Sequence, residues 1–113
     1  MEQFNRMEMQ GLVGSVRITK FEDTAIANIS VATNYAYKTR EGQPVMETLW
    51  MNVVAREGKT VAKPDSIKKG DWVHVVGRLR TRNFTDSEGN ERITYELIAA
   101  KLKKMDEDEN VAS

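Results

Sequence analysis

At 113 residues, with 40% hydrophobic and 30% charged side chains, the chain has room for one modest core and is too apolar for wholesale disorder. Its 17 basic and 17 acidic residues cancel, but four acids run consecutively at 106–109, so residues 1–105 carry 17 basic against 13 acidic side chains, which permits a polyanionic partner without demanding one. There is no cysteine, which excludes disulfides, thiolate zinc sites and cysteine nucleophiles and fits a reducing compartment. No stretch approaches the roughly 20 apolar residues of a bilayer span, and the opening MEQFNRMEMQ lacks an apolar signal core, so the expected location is the cytoplasm.

Alternation of period two dominates the chain, and turn residues punctuate it at short intervals, so the elements read as strands. The first covers about residues 5–17, with Met7, Met9 and Val13 on one face, and Gly11 and Gly14 mark the bend of a coiled, barrel-type strand. AIANISVAT, residues 25–33, sets Ala27, Ile29, Val31 and Thr33 against Ile26, Asn28, Ser30 and Ala32. After a loop at REGQP, residues 40–44, ETLWMNVVAR sends Leu49, Met51, Val53 and Ala55 one way and Trp50, Asn52, Val54 and Arg56 the other. EGKTVAKPDSIKKGD, residues 57–71, is the one place for a helix, and Pro64 holds it to one or two turns. WVHVVGRLRTRNF then turns Val73, Val75, Gly77 and Leu79 inward and Trp72, His74, Val76, Arg78 and Arg80 outward. DSEGN, residues 86–90, is a hairpin turn in which Gly89 supplies positive φ, and RITYELIAAKL, residues 92–102, is the last strand. The pattern predicts an all-β fold over residues 1–104, a five-stranded OB-type Greek-key barrel with one short connector helix between strands 3 and 4. Residues 105–113 are expected to be a short, acidic, disordered tail.

A barrel of that type takes oligonucleotides on its strand two and three face and on its connecting loops. Trp50 and Arg56 share a parity on strand three, and Tyr35 and Tyr37 close strand two and open its loop. Such rings hold single strands by stacking, about 1–3 kcal/mol per base whatever the sequence. Arg40, Arg80 and Arg82 can neutralise backbone phosphates and release counterions, and Phe84 is one more platform on the arm after the arginines. On the residues alone, packing at a half-buried sheet face explains Trp50 as well as stacking does. Trp72, His74 and Val76 form an outward trio with the character of a subunit interface. His74 is the sole histidine, so a metal site or general base built on it lacks partners, and neither a phosphate loop nor a nucleophile–base pair is present. No enzyme, metal or cofactor is expected.

Taken together, these segments resemble the bacterial single-stranded DNA-binding protein family over about residues 5–102. NRMEMQGLVG is similar to the family's opening strand, AIANISVATN to its second, ETLWMNVVA to its third, and IKKGDWVHVVGRLRTRNFTDSEGNERITYEL to its fourth strand and hairpin. The most specific part is Gly-x-Leu-Arg-Thr-Arg followed by an aromatic and an Asp-x-x-Gly turn. The resemblance implies base stacking at Tyr37, Trp50 and Phe84, with Tyr37 and Phe84 offering smaller rings where tryptophan is common. It also implies a nucleoid-associated homotetramer, or a dimer, that binds single-stranded DNA in replication, repair and recombination. Arg56 departs from the family by standing where many members stack a phenylalanine, and Met51 by standing where many carry a histidine at a subunit contact. The end, DEDENVAS, has the family's acidity without its long linker or terminal Pro-Phe, so recruitment of replication or repair proteins by that route is not expected. The alternative reading is a primosome-type OB adaptor that docks another protein on the same face and touches DNA secondarily.

Overall fold

The computed structural model describes residues 1–58 and 66–105. Alternating β-branched and polar residues build five long strands, β1 (Met7–Phe21), β2 (Thr24–Lys38), β3 (Pro44–Arg56), β4 (Trp72–Thr85) and β5 (Glu91–Met105). They close into a barrel of order β1-β2-β3-β5-β4. Its ladders are antiparallel except where Asn52, Val53 and Val54 run parallel to Glu96, Leu97 and Ile98. β1 closes the barrel by serving two neighbours, pairing through residues 7–12 with β4 and through residues 12–21 with β2.

The buried parity is the one the alternation groups together through the heart of β1 to β4, but Leu79, expected inward, and Leu49, on the core parity of β3, are 37% and 51% exposed because they lie on the ribbons beyond the closed layer. Val13, Ala27, Ile29, Val31, Val53, Ala55, Val73, Val75 and Leu97 are all at most 1% exposed, and Met9 and Leu102 join them. Two bulges allow this. Gly14 is the extra residue between the Val13–Val31 and Ser15–Ser30 pairs, and Ala100 is the extra residue opposite the Val76–Gly77 step. The second bulge turns both Leu97 and Leu102 inward although their spacing puts them on opposite parities. Gly77 has no alternative here, because a side chain would collide with the Ile98 carbonyl.

The strands are longer than the hydrophobic alternation indicates. Beyond the Asn52–Glu96 pair, β2 and β3 continue as a two-stranded ribbon to the Lys38–Pro44 pair, and β4 and β5 continue as another to the Thr85–Glu91 pair. Neither ribbon is covered by a further layer among the described residues, so its sequence needs no buried parity; the β4–β5 ribbon still reads as strand, whereas residues 34–38 and 44–46 of the other do not. Tyr35 and Tyr37 therefore lie within β2 rather than opening a loop. At the other end, Phe21 pairs with Thr24 across a two-residue turn in which Glu22 and Asp23 adopt φ of 49° and 66°.

The connector corrects the sequence reading. The expected helix, within residues 57–71, falls partly on residues 59–65, outside the described residues, and the described remainder holds no α-helix, only a single 3₁₀ position at Ser66. A turn stands there instead. The Lys68 amide donates to Asp71 Oδ2 at 2.8 Å, and the Val13 amide and carbonyl bond to the Asp71 carbonyl and the Gly70 amide at 2.8 and 2.9 Å. Once these backbone groups are satisfied by β1 and by Asp71, helical bonds are not required of them, and the turn delivers Ile67, 2% exposed, into the core. Met105 ends β5 and so belongs to the barrel; the rest of the acidic tail, residues 106–113, lies outside the described residues.

Candidate nucleic-acid interface

The β2–β3 register runs without a bulge from Ile26–Arg56 to Lys38–Pro44, so parity can be followed along the whole ribbon. Trp50 and Arg56 point out of the barrel. β4 adds Arg78, Arg80 and Arg82, which face Ile98, Glu96 and Thr94 across the β5 ladder and share the parity of Phe84. The outer parity of β3 thus carries Trp50 and Arg56, and that of β4 carries the three arginines of GRLRTR and Phe84.

Trp50 is 58% exposed, and its seat is made by a glycine. A Cβ at Gly14 would lie 2.7 Å from Trp50 Cη2 and closer still to Cζ3, so only a bare backbone lets the indole lie across β2 onto the β1 bulge. The Ser15 and Ser30 hydroxyls bond to each other at 2.8 Å beside it. One side of the ring is packed while much of it stays open, the arrangement a stacking platform requires.

The arginines are not equivalent. Arg80 Nη2 donates to Glu96 Oε1 at 2.7 Å, and Asn52 Nδ2 donates to the other carboxylate oxygen at 3.1 Å. The Glu96 side chain is 4% exposed, so Arg80 compensates a buried charge. Arg56, Arg78 and Arg82 are exposed and make no side-chain hydrogen bond or ion pair among the described residues. Arg56, Arg78 and Arg80 line one shallow hollow with Ile26, Val54 and Ile98.

Tyr35 and Tyr37 share the parity of core residues Ile29 and Val31, which puts them on the opposite ribbon face from Trp50. They are 66% and 39% exposed, with ring centroids 5.9 Å apart. The Tyr37 hydroxyl donates to Glu47 Oε1 at 3.2 Å. Arg40 is exposed in the turn at the ribbon tip, at the far end of β3 from Arg56. Phe84, 46% exposed, is near the tip of the other ribbon, one pair from its turn. Asp86 builds that turn: Oδ1 accepts from the Glu88 and Asn90 amides at 3.0 and 2.9 Å, and Oδ2 accepts from Arg92 Nε at 3.0 Å. The Arg92 hydrogen bond first, then the two amides, holds the Asp86 carboxyl below its ordinary range.

Trp72, His74 and Val76 are half-buried on the outside of β4, beside Leu12, Gln10 and Glu8 of β1. His74 Nε2 and Glu8 Oε2 are 2.6 Å apart, and this hydrogen bond is the main cause that lowers the Glu8 carboxyl. The trio shares the outward parity of Arg78, Arg80 and Arg82 on β4, and Trp72 is in register with Trp50 through Leu12 and Ala32. Among the described residues no His, Cys, Asp or Glu cluster could hold a metal ion, and no helix is long and apolar enough to cross a membrane. Sequence reasoning passed over Arg78 as a site residue, although its parity with Arg80 and Arg82 was visible. It also passed over Gly14, whose part is apparent only once Trp50 lies on it.

A closed five-stranded barrel in this order, with half-open rings and with guanidinium groups that have no carboxylate partner among the described residues on its strand three and four face, is an OB barrel of the oligonucleotide-binding type. Residues 4–105 match the Single-strand binding protein family, and the chain belongs to that family. It is 32% identical over 108 residues to single-stranded DNA-binding protein 1 of Xylella fastidiosa, covering 93% of this chain and 79% of the relative. It is also 32% identical over 81 residues to a single-stranded DNA-binding protein of Neisseria meningitidis, covering 72% of this chain and 47% of that one. Among solved structures, a Plasmodium falciparum SSB in complex with ssDNA superposes with a TM-score of 0.82 at 24% identity, over 94% of this chain and 98% of the other. A deletion mutant of the Thermus aquaticus single-stranded DNA binding protein gives 0.73 at 17% identity, over 92% and 51%.

Proposed function

We propose that the protein binds single-stranded DNA without sequence preference and without catalysis, by stacking bases on exposed rings and neutralising phosphates with unpaired guanidinium groups. The observation that carries this reading is the outer face, where Trp50 is seated by Gly14 with more than half its surface open and Arg56, Arg78 and Arg82 have no carboxylate partner among the described residues. Stacking accepts any base, and phosphate contact ignores sequence, so both terms favour a general single-strand binder. Tyr35, Tyr37 and Phe84 extend the platforms along the ribbons, and Arg40 adds a cation at one tip. Arg80 serves this surface by compensating Glu96.

The relatives' names support the same partner. Homotetramers assemble through the outward trio Trp72, His74 and Val76, and the assembly protects single strands in replication, repair and recombination, in the cytoplasm at the nucleoid. The test is titration of tryptophan fluorescence with oligo-dT and with duplex of equal length, at low and moderate salt, in the native chain and in Trp50→Ala. Quenching by the single strand alone, weakened by salt and abolished in the variant, is expected. No quenching, or an equal response to duplex, refutes the stacking mechanism and transfers the reading to a protein-docking adaptor.

A further inference from the structure

The exposed rings occupy two faces of the barrel's extensions. Trp50 and Phe84 share the outer parity of their strands, whereas Tyr35 and Tyr37 have the parity of the core. A strand that uses both sets has to pass around an edge, and the fold offers one. β3 pairs with β5 only at residues 52–54, so its edge over residues 44–51 is open toward the β4–β5 ribbon.

A cleft lies there between the two ribbons. Leu49, Leu79, Ile93 and Tyr95 line it, Trp50 lines it as well, and none of its lining residues is charged. Leu49 also lines a second hollow beside Tyr35, so one side chain borders both the Trp50 cleft and the Tyr35 hollow. Tyr95 is 54% exposed and Ile93 61%. Tyr95 shares the inward parity of Leu97, which would bury it in a closed layer; beyond the Asn52–Glu96 pair the layer ends, and the ring is left in the opening. An uncharged, apolar lining offers nothing to a phosphate and suits the flat face of a base.

We infer that Tyr95 is a stacking platform for one unstacked nucleobase of single-stranded DNA, held in this cleft as the strand rounds the free edge of β3. The inference rests on the single-stranded DNA reading above and extends it from the outer face to the cleft.

The experiment uses the full chain as Tyr95→Ala and Tyr95→Phe, with oligo-dT at one fixed salt concentration, Trp50 fluorescence as the readout and sedimentation to give the assembly mass. Tyr95→Ala is expected to weaken binding by about five- to 150-fold, the span that stacking of one base covers, with the saturating quench of Trp50 retained. Tyr95→Phe keeps the ring and is expected to stay within about twofold of the native chain. Photocrosslinking of the native protein to an oligonucleotide carrying 5-bromouracil is expected to mark the peptide that holds Tyr95. Native affinity in Tyr95→Ala overturns the inference. So does a changed assembly mass in that variant, which would assign the cleft to a second copy of the chain. If the native chain itself shows no single-strand quenching, the parent reading has failed, and that result is distinguishable because it precedes any effect of Tyr95.

Discussion

Replacing Arg80 with alanine is expected to damage the fold more than the DNA affinity, and replacing Arg82 is expected to do the reverse. The Glu96 side chain is 4% exposed and accepts from Arg80 at 2.7 Å and from Asn52 at 3.1 Å. Removing Arg80 leaves a buried carboxylate with one neutral donor. Breaking a fully buried pair in this way costs about 3–5 kcal/mol. Arg80 is itself 44% exposed, so water enters when it is truncated and the cost falls to about 2 kcal/mol. In a barrel of this size that lowers Tm by about 8–16 °C. Arg82 has no ion-pair partner among the described residues, so Arg82→Ala is expected to leave Tm within about 2 °C and to lower the slope of log affinity against log salt by about 0.7, one single-strand phosphate contact. Replacing Arg80 and Glu96 together with leucine removes both charges and is expected to recover most of the stability. Calorimetry and salt titrations of the variants are the assays. If Arg80→Ala keeps the native Tm and reduces the salt slope as Arg82→Ala does, Arg80 is a phosphate ligand and the assignment to Glu96 is refuted.

Three further expectations come from the turns and the glycine seat. Gly14→Ala pushes the Trp50 indole back by about 1 Å to reach an ordinary carbon contact; with the ring off its seat, oligo-dT affinity is expected to fall about two- to tenfold and tryptophan emission to shift, while unchanged emission would show that the ring does not rest there. Asp86 has its pKa lowered from the ordinary 3.8 by the Arg92 hydrogen bond first, so its ionised form favours folding; that contribution is present above about pH 3.8 and is lost as pH falls through the lower folded value, so the Tm advantage of the native chain over Asp86→Asn is expected to shrink as pH falls below about 3.8. Asp23→Gly removes the side-chain penalty at φ 66° and is expected to raise Tm by about 4 °C, and a decrease would contradict the left-handed turn.

Much of the barrel was legible because burial imposes a strict alternation on a strand. Val73 and Val75, or Ile29 and Val31, announce their face by spacing alone, and the GRLRTRNF segment with its Asp-turn announces an arginine-bearing strand that ends in an aromatic arm. Where a ribbon has no covering layer, the alternation carries less signal, which is why the end of β2 and the start of β3 read as loop and Tyr35 and Tyr37 as its opening. Residues 57–71 offered helix formers up to a proline, and nothing local indicated that the Val13 backbone would bond the end of that segment as a turn and seat Ile67 in the core.

Composition and spacing by themselves determined the all-β character, most of the inward residues of β1 to β4 and the presence of rings and guanidinium groups, since these are properties of single strands. Tertiary structure decided which of those groups are available. Arg80 and Arg82 are equivalent in sequence, yet closing the barrel brings β5 beside β4 and gives only Arg80 a buried carboxylate. Tyr95 and Leu97 share a parity, yet only Leu97 has β3 beside it. Charge compensation and burial depend on neighbours distant along the chain, and those neighbours exist only once the strands have paired.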